Sequence, residues 1–251
     1  MNKIEKLQEI IDASDNIVFF GGAGVSTESG IPDFRSESGI FKSLEKYGDT
    51  PERLVSHSYY LEHTEEFFSY YKDCLIFPEA EPNSAHYTLA RLEKEGKLKA
   101  IITQNIDGLH LKAGSKNVLE LHGSVLRNYC ESCGKSFPVK YVLEADGVPH
   151  CDACGGRVKP DVVLYEENLD MDVMEAAVNY ISRADMLIIG GTSLVVYPAA
   201  GLLRYYQGHK LVLVNKSNTS YDSRADLVIN ENIGEVFSQI QGPYLDKAAS
   251  E

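Results

Sequence analysis

The chain has 251 residues, of which 43% are hydrophobic and 24% charged, and its formal net charge is −13. This composition is ordinary for a globular protein with a sizeable core, and an acidic chain without a run of Lys or Arg is not expected to bind nucleic acid. No window approaches the roughly 18 to 20 apolar residues of a membrane-spanning helix, so no membrane partner is expected. We interpret the charge as a solubility feature, with a modest preference for Lys-rich partners as the alternative.

The N-terminal segment has the pattern of an amphipathic helix. Apolar residues stand at Ile4, Leu7, Ile10 and Ile11 with charged residues between them. This is the spacing of one helix face and not the continuous apolar stretch of a signal peptide. We therefore expect a cytoplasmic protein.

Short apolar runs alternate with helical patterns along the rest of the chain. The runs predict strands at 16–20, 98–103, 117–121, 161–165, 185–191, 210–215 and 226–230. The helical patterns lie at 3–13, 84–95, 171–182, 198–207 and 233–240. Near-continuous apolar strands are typical of sheets covered on both faces. The alternation therefore predicts an α/β fold with a Rossmann-like parallel sheet and helices on both of its faces.

Two stretches interrupt this alternation. Residues 39–80 are aromatic-rich with a helical pattern, and residues 129–157 contain paired cysteines among Gly, Pro and charged residues. We predict that they are inserts that form a small second lobe, a helical insert and a zinc-ribbon insert. The large Rossmann-like domain would then consist of residues 1–38, 81–128 and 158–251.

A glycine-rich turn, Gly22-Ala23-Gly24, follows the first predicted strand. Such a turn lets backbone N–H groups approach a pyrophosphate. The position of a third glycine, however, is occupied by Thr27, and the chain continues into Pro-Asp-Phe-Arg. In a simple dehydrogenase a strand with an acidic residue at its end would follow about 20 residues later, and none is predicted there. The groups that hold the ribose must therefore come from other strand ends.

Polar side chains of the required types follow several predicted strands. Gln104, Asn105 and Asp107 follow the strand at 98–103, and His122 follows the strand at 117–121. An imidazole with a near-neutral pKa can take a proton from a hydroxyl, while a carboxamide and a carboxylate can orient a leaving amide. This combination favours group transfer at a ribose over hydride transfer. We interpret His110 as a helix-start or packing residue.

Two further strand ends offer groups for a nucleoside. Thr192 and Ser193 follow the strand at 185–191, and Asn215 ends the strand at 210–215. Carboxyl ends of parallel strands are where such sheets bind ligands. These hydroxyls and the amide are therefore candidates to hold the ribose hydroxyls.

Four cysteines have the spacing of a structural zinc site. Cys130 and Cys133 form one C-x-x-C pair, Cys151 and Cys154 form the other, and 17 residues separate the two pairs. Two such pairs supply four thiolates for a tetrahedral ion. Because all four positions are then filled by protein, we expect one zinc ion per chain that stabilises structure and does no chemistry. His150 is a weaker rival ligand.

The motifs together resemble the sirtuin family. The segments "GAGVSTESGIPDFRS", "TQNIDGLH", "LHGS", "KPDVVLYEE", "GTSLVVYPAA" and "LVLVN", with the four-cysteine ribbon, occur in the family's order across roughly residues 15 to 235. The resemblance implies an NAD-dependent protein-lysine deacetylase of the compact bacterial type. Such an enzyme transfers the acetyl group of acetyl-lysine to ADP-ribose and releases nicotinamide and 2′-O-acetyl-ADP-ribose. Its partners would be acetylated proteins or peptides, and we expect it to be a monomer.

The resemblance also implies roles for single residues. His122 would be the general base on the ribose hydroxyls, and Asn105 would place the ribose and a water. Val163 and Tyr165 would flank the acetyl-lysine tunnel, beside which the peptide adds as a strand. NAD would be bound by Gly22, Ala23, Gly24, Thr27, Phe34, Arg35, Gln104, Ile106, Asp107, Thr192, Ser193, Asn215 and Ile233.

The chain departs from the family pattern at one informative position. Where the family usually has Phe-Gly-Glu, this chain has Tyr165, Glu166 and Glu167, which places an extra carboxylate beside the peptide strand. Relatives that remove acidic acyl groups have a Tyr and an Arg in the helical insert, where this chain has Phe68 and Tyr71. We therefore expect acetyl and similar neutral acyl groups as substrates.

Two alternative functions remain open at this point. A mono-ADP-ribosyltransferase would use the same chemistry with another acceptor. A non-catalytic NAD-sensing zinc module would be expected to lack His122 or Asn105, and both are present.

Overall fold

Six parallel strands form the central sheet in the computed structural model, which describes residues 2–33 and 37–242. In chain order the strands are β1 (Ile17–Gly21), β2 (Leu98–Thr103), β3 (Val118–Glu120), β4 (Gly123–Cys130), β5 (Ser136–Pro138), β6 (Val158–Val162), β7 (Met186–Gly190), β8 (Leu211–Val214) and β9 (Leu227–Ile229). The central sheet has the order β3-β2-β1-β7-β8-β9, and β5-β4-β6 form a second, antiparallel sheet. The predicted α/β fold with a Rossmann-like sheet and a small lobe is confirmed.

The structure differs from the predicted elements at two places. The apolar run at 161–165 lies partly in β6, which pairs antiparallel with β4 and is not part of the central sheet. The helical pattern at 198–207 forms the 3₁₀ helix Ala199–Tyr205. The remaining predicted strands all belong to the parallel sheet.

Helices surround both sheets. They are α1 (Lys3–Asp12), α2 (Glu37–Tyr47), α3 (Pro51–Leu54), α4 (His57–Glu62), α5 (Thr64–Cys74), α6 (Ser84–Lys94), α7 (Leu109–Lys112), α8 (Val139–Glu144), α9 (Met171–Arg183) and α10 (Ile233–Phe237). Within the described ranges, none of them combines the length and the apolar character needed to cross a bilayer.

The residues of β1 alternate between two apolar cores, one on each face of the central sheet. Ile17 and Phe19 pack into the core formed with α1, α6 and α10. Val18 and Phe20 pack into the core formed with α9 and the 3₁₀ helix. Successive strand residues point to opposite faces, so a strand buried on both sides must be apolar throughout. This explains the unbroken apolar runs of the sequence.

A third core belongs to the small lobe. Five aromatic side chains of α4 and α5 are fully buried, and they pack against residues of β4 and β6. These aromatic residues are Tyr60, Phe67, Phe68, Tyr70 and Tyr71. The helical insert and the cysteine-bearing sheet therefore share one core. The domain boundaries given above stay a prediction.

Two buried imidazoles lie between α6 and α7. The rings of His86 and His110 are 4.7 Å apart, centroid to centroid, and the ring of Phe19 lies 6.0 Å from that of His110. Nδ1 of His86 accepts a 3.2 Å hydrogen bond from the Asn83 N–H. Burial lowers the pKa of His86 to about 4 and lowers that of His110 as well, so both rings are neutral near pH 7. His110 is thus a packing residue.

Candidate active site

The loops after β1 and β7 meet where the order of the central sheet reverses. The Gly24 N–H donates to the Gly191 carbonyl at 2.8 Å, and the Gly22 N–H donates to the Gly190 carbonyl at 3.2 Å. A Cβ atom on Gly24 would lie 2.7 Å from Cα of Gly191, and one on Gly22 would lie 2.8 Å from Cβ of Thr192. Only glycine allows this approach. Such a switch point is where open α/β sheets bind nucleotides.

A cleft of about 220 Å³ runs from this point to the small lobe. Its walls come from the carboxyl ends of the central strands, from the segment that follows β6, and from the end of α5. The structure brings most of the predicted site residues together in its lining: Gly22, Ala23, Gln104, Asn105, Ile106, Asp107, His122, Val163, Tyr165, Thr192 and Ser193.

Other predicted site residues are placed outside this lining. The Thr27 hydroxyl is exposed and donates to the Gly24 carbonyl at 3.0 Å. Asn215 follows β8 and donates from Nδ2 to the Ser217 carbonyl. Ile233 starts α10 and is 3% exposed, as part of the core beneath the sheet. Phe34 and Arg35 lie outside the described residues.

His122 is held in one tautomer by the backbone. Its Nδ1 lies 2.9 Å from the carbonyl oxygen of Gln104. A carbonyl only accepts hydrogen bonds, so Nδ1 carries the proton of the neutral ring and Nε2 is the basic nitrogen. The backbone N–H of Gln104 donates to the Gly21 carbonyl at 3.0 Å, and its side-chain Nε2 donates to the Thr192 hydroxyl at 3.1 Å. The arrangement prepares His122 to accept a proton at Nε2.

Ser26 links two of the predicted site residues. Its hydroxyl donates to Oδ2 of Asp107 at 2.7 Å and accepts from Nδ2 of Asn105 at 3.0 Å. Because Nδ2 faces Ser26, the carboxamide oxygen of Asn105 is the group left for a ligand. Burial raises the pKa of Asp107, opposed by hydrogen bonds that include those from Leu109 and Ser26. Sequence reasoning missed Ser26, whose only signal was a hydroxyl two residues after the glycine turn.

The segment after β6 is bonded to both lobes. The Val163 N–H donates to the His122 carbonyl at 3.0 Å, and the Tyr165 N–H donates to the Val55 carbonyl at 3.0 Å. The His57 N–H in turn donates to the Tyr165 carbonyl at 2.9 Å. Together with Val162, the last residue of β6, this extended segment forms one wall of the cleft beside His122, at residues 162–165.

Two carboxylates follow this segment and have different surroundings. Glu167 is within 2.8 Å of Nδ1 of His57 and 3.2 Å of Nζ of Lys159, and it accepts from the Leu164 N–H at 2.9 Å. Although burial opposes the charge, these contacts lower the pKa of Glu167. Glu166 is exposed, and hydrogen bonds from the Ser58 hydroxyl and N–H lower its pKa.

The four cysteines form one cluster. The sulfur atoms lie within 4.8 Å of one another, with 3.5 Å between Cys130 and Cys154 and 3.7 Å between Cys133 and Cys151. A tetrahedron with Zn–S bonds of about 2.3 Å has edges of about 3.8 Å, so the donor set fits zinc. The sulfurs of Cys130 and Cys151 also accept from backbone N–H groups two residues later, which favours thiolates. The ring of His150 contacts the Gly155 carbonyl instead.

Comparison with known proteins places this arrangement among enzymes. The profile of the Sir2 family matches residues 22–198. An NAD-dependent protein deacetylase of Clostridium perfringens is 64% identical over 240 residues, which cover 95% of this chain and 98% of that protein. The corresponding protein of Clostridium acetobutylicum is 59% identical, with 96% and 98% covered.

Solved structures are similar over the same extent. A Sir2 protein with a deacetylated p53 peptide and 3′-O-acetyl-ADP-ribose superposes with a TM-score of 0.86 at 40% identity, covering 95% of this chain and 97% of that one. A Sir2 complex with a p53 peptide and NAD⁺ gives 0.84 at 38% identity, with all of both chains covered.

Proposed function

The chain belongs to the Sir2 family and is an NAD-dependent protein deacetylase, and from this premise we propose that His122 and Asn105 carry its chemistry. The enzyme transfers the acetyl group of acetyl-lysine to the ADP-ribose part of NAD and releases nicotinamide. The observation that supports the assignment is the fixed tautomer of His122 in the wall of a cleft reached by both lobes.

His122 acts as the general base. With its proton on Nδ1, the ring accepts a proton at Nε2 from a ribose hydroxyl. The hydroxyl oxygen then bonds to the acetyl carbon, whose bond to the lysine nitrogen breaks with the uptake of one water, and nicotinamide leaves from the ribose. The Gln104 carbonyl then stabilises the charged ring through the same 2.9 Å hydrogen bond. The Gln104 carbonyl thus has the role that a buried carboxylate has beside the catalytic histidine of other enzymes.

Asn105 and Asp107 hold the reacting half of NAD. The carboxamide oxygen of Asn105 accepts from a ribose hydroxyl or an ordered water, because its Nδ2 is already engaged by Ser26. Asp107 and Ile106 bind the nicotinamide carboxamide. Ser26 is a positioning residue, because its hydroxyl is hydrogen-bonded to both Asn105 and Asp107 and fixes their side chains relative to each other.

The remaining NAD contacts follow the line of the strand ends. Gly22 and Gly24 accommodate the phosphates, and Ala23, Thr27 and Gln104 line the NAD channel. Thr192, Ser193 and Asn215 hold the adenosine half and Ile233 contacts the adenine, while Phe34 and Arg35 cover the reacting ribose. The lack of room for a Cβ at Gly22 and Gly24 supports a tight turn in which the loops after β1 and β7 pack directly against each other.

The acetylated peptide adds as a strand beside residues 162–165, with Val163 and Tyr165 at the acetyl-lysine tunnel. Both side chains line the cleft. Phe68 and Tyr71 are fully buried in the small lobe, and the described lining contains no Lys or Arg to bind an acyl carboxylate. Acetyl and similar neutral acyl groups are therefore the proposed substrates.

The zinc ion holds the small lobe and takes no part in the reaction, since all four ligands come from protein. We further propose a cytoplasmic monomer that acts on proteins and not on nucleic acid or membranes. The acidic balance of the chain supports the protein substrate, and light scattering and cell fractionation test the other two points.

The test is incubation of the zinc-loaded enzyme with NAD and an acetyl-lysine peptide, followed by mass spectrometry. Expected products are free lysine peptide, nicotinamide and acetyl-ADP-ribose in equal amounts. An ADP-ribosylated peptide would instead support the transferase alternative, and absence of nicotinamide release would contradict both. The unacetylated peptide is the matched control.

A further inference from the structure

We propose that Glu166 selects substrates that carry a lysine or arginine close to the acetyl-lysine, an inference that rests on the deacetylase function proposed above. The residue lies where the peptide strand is expected to bind. It differs from every other charged group of the cleft in being both exposed and fixed.

The backbone of Glu166 is in the left-handed region, with φ of 76°. Within the described part of the chain, Leu194 is the other non-glycine residue with a positive φ. L-residues with side chains are disfavoured there. The conformation is retained because the side chain is bound to α4: Oε2 of Glu166 accepts from the Ser58 N–H at 2.9 Å and from its hydroxyl at 2.5 Å.

These two bonds fix one carboxylate oxygen and leave the other for a ligand. Within the described residues, Oε1 of Glu166 has no hydrogen-bond partner and no Lys or Arg within salt-bridge distance. The bonds from Ser58 also lower the pKa of the carboxyl, so it is ionised at neutral pH. The result is a fixed negative charge next to Tyr165, at the mouth of the proposed lysine tunnel.

The charges around it have the same sign. The described lining contains Asp33, Asp107, Glu166 and Glu167 and no Lys or Arg. Two basic side chains nearby, His57 and Lys159, are both bound to Glu167, and Lys159 is 8% exposed and also donates to backbone carbonyls. No protein cation of the described lining therefore cancels the field of Glu166. A cationic side chain on the substrate is attracted to it, and an acidic one is repelled.

Strand geometry limits where on the peptide this charge acts. A strand rises about 3.3 Å per residue, and Glu166 directly follows Tyr165 of the tunnel wall. A peptide strand beside residues 162–165 therefore brings side chains one to three positions from the acetyl-lysine within reach of Oε1. The preference should be confined to those positions and not reflect total peptide charge.

The experiment measures kcat/KM for a neutral-flanked acetyl-lysine reference peptide and for peptides with one Lys or one Gln at each of three positions on either side. The zinc-loaded wild type should favour Lys over Gln by roughly twofold to fivefold at one or two positions, the range given by exposed ion pairs. The factor should decrease in 0.5 M salt. In Glu166→Gln it should fall to about one.

Because the Lys-to-Gln ratio is taken within one protein, it does not depend on the fraction of folded enzyme. Glu166→Gly provides a second variant that suits the left-handed backbone and should also abolish the ratio. Glu62→Gln removes an exposed charge from the end of the same helix, outside the cleft, and should retain it.

Two results would overturn the inference: a wild type without a preferred position, or a preference that persists in both Glu166 variants. Failure of the deacetylase function itself looks different, since the neutral reference peptide would then release no nicotinamide with any of the proteins.

Discussion

The buried pair His86 and His110 should make the fold sensitive to mild acid. Their pKa values in the folded protein are lowered by burial, to about 4 for His86, whereas an unfolded histidine has a pKa near 6.5. Below pH 6.5 the unfolded chain takes up protons that the folded chain excludes. The stabilisation is therefore complete above about pH 7 and decreases as the pH falls from 6.5 towards 4.

The size of the effect follows from linkage. Each histidine contributes up to about 1.4 kcal/mol per pH unit to the free energy of unfolding. Between pH 6.5 and 5.0 His86 should therefore account for a loss of about 1.5 kcal/mol, and His110 adds to the loss in the same direction. A loss of about 1.5 kcal/mol is already a sizeable part of the roughly 5 to 15 kcal/mol that stabilises a typical domain.

Urea unfolding followed by circular dichroism at pH 6.5, 6.0, 5.5 and 5.0 measures this slope. His86→Gln keeps an acceptor for the Asn83 N–H but has no titrating group, so its loss of stability between pH 6.5 and 5.0 should be smaller by about 1.5 kcal/mol. His209→Gln, at an exposed position, is the control. Comparing slopes cancels the acid sensitivity of the zinc site. Equal slopes in wild type and His86→Gln would refute the reasoning.

Three further outcomes are expected. His122→Ala should bind NAD in calorimetry yet form acetyl-ADP-ribose at least about 100-fold more slowly, because the general base is missing; full turnover would contradict the assignment. Cys130→Ser should lose zinc and melt at a lower temperature, and unchanged metal content and melting would disprove the structural role. Gly24→Ala should weaken NAD binding and lower the melting temperature, since its Cβ meets Gly191 at 2.7 Å. Gly201→Ala, whose Cβ has 3.6 Å to the nearest ring atom, should change neither.

The elements that could be predicted from the sequence are those whose formation depends on a pattern within a short segment of the chain. Continuous apolar runs identified the strands of the central sheet, and the spacing of the cysteines identified their cluster, because burial on two faces and tetrahedral geometry each impose a pattern. The run at 161–165 was predicted to be a strand of that sheet, and this was wrong because its β-strand part, in β6, pairs with β4 of the second sheet. An apolar run shows that a segment is buried, but not which strand it pairs with.

The site was predictable where polar residues follow strands and less so in the turns. Gln104, Asn105 and His122 were found because a polar residue after a buried strand is conspicuous. Ser26 has no such pattern, and its importance depends on two contacts to residues about 80 positions away. The bond between Glu166 and Ser58 also joins distant segments, so the fixed orientation of that carboxylate was not foreseeable.

The wall segment 162–165 is joined to His122 on one side and to Val55 on the other. A rotation of the zinc-bearing lobe would therefore pull on the backbone of the catalytic base as well as on the peptide wall. The positions of the two lobes are therefore coupled through this segment, and a change in structure at the zinc site is transmitted to His122. Chelation of zinc should consequently alter peptide affinity before the central sheet unfolds.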